Sequence, residues 1–256
     1  MITIKTEEEI QYIKIAGRII AEFLKEVQKL IKPGVDSTEI EAFAVEFVRS
    51  RGGELSFKNY NGFPGYICFS INDEIVHGVP MKGKKVPENG LVKIDIGVKY
   101  KNYFADGAWT YIVGNVPFKV QKLVEITKLA LYKGIEKAIE GNRLSDISKA
   151  IENTVKPYGF GIPRDLVGHG VGYSVHEPPN VHNFHNPPDD EIILKEGMVL
   201  AIEPMITLKS NKTIEGKDKF VIKTADGSFS AHFEHTIVVR KNKAEILTSL
   251  DDYSGF

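Results

Sequence analysis

Four acids in this chain of 256 residues fall where acids are costly. Asp95 stands inside an apolar run, Leu91-Val92-Lys93-Ile94-Asp95-Ile96, and Asp106 follows eleven residues later, beyond the polar stretch Lys99 to Asn102. If that stretch turns symmetrically, residues whose numbers sum to 201 face one another, and Asp95 meets Asp106. Like charges directly opposite on adjacent strands destabilise a sheet. Such a pair persists if one acid keeps its proton or a cation sits between them. One aspartate pointing to solvent or capping a turn is the plainer alternative. Glu203 interrupts the apolar strand Met198 to Ile202 just before Pro204. An acid ending a buried strand needs a partner or a metal, so Glu203 reads as a ligand or a base. Glu234 lies between His232 and His235 in a β-rich segment; taken alone it is equally at home on the outer face of a sheet.

Six of the seven histidines lie between residues 169 and 235. His169 stands in Gly168-His169-Gly170-Val171-Gly172, where absent side chains let the imidazole approach something held close to backbone. His176 follows, and His77 opens His77-Gly78-Val79-Pro80. Singly, each reads more readily as a surface or hydrogen-bonded core histidine than as a ligand.

The elements that must carry these residues come in two similar sets. Thr6 and Glu9 make a capping box ahead of Ile10, Ile13, Ile20, Leu24, Val27 and Ile31, a helical spacing stopped by Pro33-Gly34. Thr38 and Glu41 suggest a second box, followed by Phe43, Phe47 and Val48 and the break at Gly52-Gly53. Pro117 opens a third helix that runs towards Gly141, and Ser145 is expected to cap a fourth, closed by Gly159. Strands are expected at 67–72, 91–98 and 103–113, then at 198–206, 220–224 and 229–240. A shift of 107 residues lays Gly34 on Gly141, Thr38 on Ser145, Gly52 on Gly159 and Gly90 on Gly197. This predicts one domain over 1–256, duplicated as halves of about 1–113 and 114–256, in the α+β class with a shared pseudo-twofold core. Glu177 to Glu191, with Pro178-Pro179 and Pro187-Pro188, is expected to be a stiff surface loop, since double prolines forbid helix and central strand.

Composition narrows the function classes. Lysine and arginine number 33 against 34 acids, a net charge of -1 that argues against a nucleic-acid platform. Apolar residues make up 42%, enough for a substantial core. No apolar run is long enough to span a bilayer, and MITIKTEEEI carries acids where a signal peptide needs a basic start. With Cys68 alone there is no internal disulfide, so a cytoplasmic location is expected. A monomer is the default reading.

Together, Asp95 in KIDIG, Asp106 in FADGAW, His169 in GHGVG, Glu203 in IEPM and Glu234 in FEHT resemble the methionine aminopeptidase family. The resemblance covers essentially the whole chain. It implies a pseudo-symmetric "pita-bread" fold, a central antiparallel sheet covered by helices, and a site for two divalent metal ions. On that footing Asp95 chelates one metal, Asp106 and Glu234 bridge, and His169 and Glu203 complete the other site. His77 and His176 match the family's two substrate-contacting histidines, and Tyr60, Phe63, Cys68 and Phe220 fall at or near the methionine pocket. Cys68 reads equally as a small buried hydrophobe. Only 34 residues separate His169 from Glu203, which resembles the type I enzymes, and the lack of a zinc-binding N-terminal extension resembles the bacterial form. One departure is Val175, where relatives commonly carry an aromatic. The implied reaction removes an N-terminal methionine from peptides and nascent chains, with a small second residue favoured. Four carboxylates and one imidazole suit Mn, Fe or Co better than a thiolate-rich zinc centre, although Zn can bind. Transient ribosome association is left open. The competing readings are a peptidase of the aminopeptidase P or prolidase kind, and a non-catalytic binding protein of the same fold.

Overall fold

The computed structural model describes residues 1–250. The first half runs α1 (Glu7–Val27), α2 (Ser37–Arg49), β1 (Glu54–Leu55), β2 (Cys68–Ile71), β3 (Glu74–Val76), β4 (Gly90–Tyr100) and β5 (Tyr103–Val113). The second half runs α3 (Phe118–Ile135), α4 (Leu144–Val155), β6 (Val167–Gly170), β7 (Glu177–His182), β8 (Val199–Ile202) and β9 (Met205–Thr207). It ends with β10 (Thr213–Glu215), β11 (Ile222–Thr224), β12 (Ser230–His232), β13 (His235–Val238) and β14 (Glu245–Ile246). Shifting α2 by 107 residues lays its first residue, Ser37, on Leu144, the first of α4. Among the described residues no helix is long and apolar enough to cross a membrane.

The helices form where apolar periodicity and caps coincide. Thr6 and Glu9 close the expected box: the Thr6 N–H donates to Glu9 Oε2 at 2.8 Å, and the Glu9 N–H to Thr6 Oγ1 at 3.3 Å. This helix ends at Val27, before the expected stop at Pro33-Gly34. The second box starts two residues earlier than expected. Asp36, not Thr38, is the cap, accepting from the Thr38 N–H at 3.0 Å while Glu39 accepts from the Asp36 N–H at 3.1 Å. Its second oxygen accepts from the Gly83 N–H, which pins the helix start to a neighbouring turn. Similarly, Ser145 lies inside α4, and the start is held by Asp146 accepting from the Arg143 N–H.

β4 is the centre of the first sheet, paired along its length with β5 and on its other edge with β2 and β1. The second sheet has the order β14-β13-β8-β6-β7. One core packs α1 and α2 on the first sheet through Ile10, Ile20, Phe23, Phe69 and Ile94. The other packs α3 and α4 through Leu131, Ile147, Leu200, Ile202 and Ile237, and Trp109 touches both.

The β4–β5 register differs from the symmetric turn expected over Lys99 to Asn102. The turn is the tighter Lys101-Asn102, both at positive φ (49° and 74°), so that Tyr100 pairs with Tyr103. Asp95 therefore faces Ala108, and Asp106 faces Gly97. Because strand side chains alternate with period two, this two-residue slip leaves both carboxyls on one face as diagonal neighbours.

The double-proline segment is not simply a loop. Residues 177–182 form β7, and Pro187–Glu191 is a short 3-10 turn. β7 lies at the edge of its sheet, where a missing N–H costs no ladder partner. The long strands expected at 198–206 and 229–240 are each broken in two, β8/β9 at Glu203-Pro204 and β12/β13 at Phe233-Glu234.

Two buried ammonium groups brace the site's surroundings. Lys93, 1% exposed, donates to Asn72 O at 2.9 Å and Ser230 O at 3.1 Å, tying the β2–β3 turn to β12. Burial lowers its pKa to about 7. Lys5 is bonded to Glu177, whose carboxylate also accepts from Thr3 Oγ1 at 3.2 Å, so the N-terminal segment clasps the residue next to His176. The two side chains are 1% and 9% exposed. Removing one member of such a pair leaves the other charge buried alone. Lys5→Met is therefore expected to lower the free energy of unfolding by about 3–5 kcal/mol, read from denaturant melts at fixed metal concentration. A loss under about 1 kcal/mol, the scale of an exposed pair, would count against the clasp.

Candidate active site

The acids converge because the two ladder breaks lie opposite one another. Ile202 of β8 pairs with His235 of β13, and Met205 of β9 pairs with His232 of β12. Between those pairs Glu203 and Glu234 leave the sheet. β5 docks against this break: the Asp106 N–H donates to Thr236 Oγ1 at 2.9 Å, and the Glu234 N–H to Ala108 O at 2.9 Å. His169 arrives from β6, between β8 and β7. The flanking glycines make that possible, since a Cβ on Gly168 would lie 2.4 Å from Ala201 O and one on Gly170 2.4 Å from Pro178 O.

All five residues singled out in the sequence meet on one floor. Ligand atoms of Asp95, Asp106 and Glu234 lie within 4.8 Å of one another, as do those of His169, Glu203 and Glu234. These two sets share Glu234, and a third brings Asp106 equally close to His169 and His176. His169 Nδ1 donates to Gly170 O at 2.9 Å, which leaves the Nε2 lone pair facing Glu203 Oε1 at 3.4 Å and Asp106 Oδ2 at 3.9 Å. Such a backbone bond on one ring nitrogen is how proteins present the other to a metal.

Electrostatics point the same way. Burial, reinforced by the other carboxylates, raises Asp106 and Glu234 well above the usual carboxylate range, and burial does the same for Glu203. Asp95 is raised to about 6, burial being the main cause and His232 opposing it. Burial lowers His169 to about 3. Asp95 Oδ1 and Glu234 Oε1 are buried without a hydrogen-bond partner among the described residues. Hard oxygen donors, an orphaned lone pair on each of two carboxylates and a pre-oriented imidazole fit divalent cations.

Above this floor opens a cavity of about 290 Å³. One side carries His77 and His176, whose rings solvent reaches through the cavity but whose pKa values the surrounding protein lowers to about 4. The other side is apolar: Phe63, Cys68 and Phe220 line it with Tyr60, and Phe63 meets Phe220 edge-on at 5.6 Å. Val175, the departure noted in the sequence, is buried in the same apolar cluster. The Cys68 thiol is pushed up by burial and then by Asp95, which makes it an inert lining group rather than a nucleophile.

Among the contributors that sequence reasoning missed, two stand against the site's key groups. Phe57 belongs to the apolar wall, and His232, 1% exposed, brings Nε2 to 3.2 Å from Glu203 Oε2. Nothing in their spacing set them apart; the flanking of Glu234 by histidines was the one available signal.

Comparison with known proteins agrees with this geometry. Residues 11–241 match the profile of metallopeptidase family M24. Methionine aminopeptidase 1 of Bacillus subtilis is 45% identical over 249 residues, 97% of this chain and 99% of that protein. The crystal structure of a methionine aminopeptidase from Thermotoga maritima superposes with a TM-score of 0.94 at 41% identity, over 97% of this chain and all of that one. A prolidase from Pyrococcus furiosus is more distant, with a TM-score of 0.79 at 27% identity, over 97% of this chain and 66% of the prolidase.

Proposed function

The chain belongs to metallopeptidase family M24 and, within it, to the methionine aminopeptidases of pita-bread fold, and we infer that it removes the N-terminal methionine from peptides. The observation that carries this reading is the meeting, in one cavity, of a floor of candidate metal ligands and an apolar wall of Phe63, Cys68 and Phe220. We propose further that the centre takes two ions, Co, Mn or Fe, with Zn possible as a substitute. The overlap of the ligand sets supports two sites: Asp95 would hold one ion, His169 and Glu203 the other, and Asp106 and Glu234, each close to ligands of both, would serve the two together. When bound, the divalent ions supply an acidified water and polarise the scissile carbonyl.

The chain's own groups do the rest. Glu203, at the edge of the floor, accepts the proton of the attacking water and passes it to the leaving amine. His176 donates to the carbonyl oxygen as negative charge develops on it. His77, which lines the same cavity, contacts the scissile nitrogen or its carbonyl region. Tyr60, Phe63, Cys68 and Phe220 hold the methionine side chain, whose thioether gains from contact with aromatic rings. Nascent proteins as substrates, a small residue at the second position, a cytoplasmic location and action as a monomer are parts of the same proposal, as is a single catalytic domain of two duplicated halves. Transient association with ribosomes would suit a nascent-chain substrate.

Rates on Met-Ala, Leu-Ala, Met-Leu and Ala-Pro under one metal test it. Misplacing one methylene-sized group is worth about 1–3 kcal/mol, so Leu-Ala is expected to be slower than Met-Ala by roughly 10–200-fold. Val175 leaves the wall less bulky, which favours the lower end. Equal rates on the two would discard the methionine pocket, and preference for Ala-Pro would make the enzyme a proline-specific peptidase.

A further inference from the structure

Tyr60 does more than line the pocket. It sits in a single 3-10 turn, Tyr60–Gly62, bracketed by Asn59 at φ 66° and containing Asn61 at φ 48°, both left-handed. The Asn59 N–H donates to Phe63 O at 2.9 Å, and the Phe63 N–H to Tyr60 O at 2.9 Å, so the turn is closed on itself. The Tyr60 hydroxyl lies 3.0 Å from Nδ1 of His176, with the two rings 5.2 Å apart. His176 in turn stands edge-on to His169 at 4.1 Å. A wall of the apolar pocket is thus bonded directly to the donor side of the cavity.

A neutral imidazole has one N–H, and its position decides what the ring can do. A ring nitrogen of His176 lies within 4.8 Å of an Asp106 oxygen and a His169 nitrogen. Those neighbours repel a lone pair and attract an N–H. With Nδ1 engaged by Tyr60, the nitrogen left for the cavity is Nε2. We propose that Tyr60 is a positioning residue for His176: its hydroxyl donates to Nδ1 and holds the imidazole as the Nε2–H tautomer, so that the turn walling the methionine side chain also sets the donor to the scissile carbonyl. This rests on the methionine aminopeptidase reading. It makes side-chain recognition count in kcat as well as in KM, because a methionine packed against Tyr60 steadies the bond to His176.

Tyr60→Phe removes the hydroxyl and keeps the ring that walls the pocket. In the metal-loaded enzyme, metal content and KM for Met-Ala are expected to stay within about twofold of wild type, while kcat falls roughly tenfold, the scale of one lost hydrogen bond. The ¹⁵N shifts of His176 should move from those of a pure Nε2–H ring towards a tautomer mixture. In a His176→Ala background the same change should cost nothing more, whereas a merely structural role would lower activity in both backgrounds. Unchanged kcat, unchanged His176 shifts, or a loss that persists without His176 would each overturn the proposal. Failure of the wild-type enzyme to release methionine from Met-Ala is a separate outcome, and it would overturn the reading of the enzyme itself.

Discussion

Exhaustive chelation is expected to abolish hydrolysis of Met-Ala, and added Mn or Co to restore it. Asp95, Asp106, Glu203 and Glu234 crowd one buried floor, and without a cation their charges cannot coexist there. Metal-free protein meets this by holding protons: burial raises Glu203 well above its ordinary value, burial and repulsion by the other carboxylates do so for Asp106 and Glu234, and Asp95 is raised to about 6. Cation binding needs the ionised forms, so the acids must give those protons up. The sign is therefore fixed: at pH 6 to 7, titrating Mn or Co into metal-free protein should release protons, read by calorimetry in buffers of different ionisation enthalpy. Binding without proton release would show the acids already ionised and the repulsion argument wrong. Full activity in metal-free protein would sink the metal-dependent reading altogether.

The second large effect separates the donor histidines from the metal floor. His176→Ala should leave metal content nearly intact and lower kcat by roughly 10²–10³, the usual scale for one lost donor to a developing oxyanion. The reasoning is positional. His176 opens onto the cavity, bonds to Tyr60 through Nδ1, and of the four acids it meets Asp106, beside His169, while Glu234 joins the two carboxylate-rich sets without it. His77→Ala should likewise spare the metals, with its loss in kcat/KM. Loss of metal from the His176 variant, measured by elemental analysis after desalting, would make His176 a ligand.

The acids were legible because acids inside apolar runs are rare and expensive, and because the order of their motifs resembles one family. Their partners were less so. The β4–β5 register lies two residues from the symmetric turn, since a polar stretch of four does not reveal which two residues take positive φ. The face was right, because only a slip of one residue would have turned Asp106 away from Asp95. Pro178-Pro179 suggested a loop, and the strand that contains them exists because it lies on an edge, a fact about the neighbours and not about the prolines. Asp36 takes the cap expected of Thr38 through an equally local box with Glu39, and its bond from Gly83, remote in the chain, is the part the local pattern does not show. His232 and Phe57 belong to the site through tertiary approach alone.

The opposed breaks in the second sheet bear on how the protein comes to exist. The hydrogen bonds between Asp106 and Thr236 close a loop of 130 residues, and the two ligand sets that contain two or more carboxylates both need Glu234. Such a loop is entropically expensive to close before its contacts form, and topologies rich in distant contacts fold slowly. A chain emerging from synthesis carries Asp95 and Asp106 long before it carries their partners, and cannot hold a metal ion through a full set of ligands until its last strands are made. Metal capture is then a late event in maturation. It would act as a check that the two halves have closed on each other, and a truncated product would be born without catalytic power.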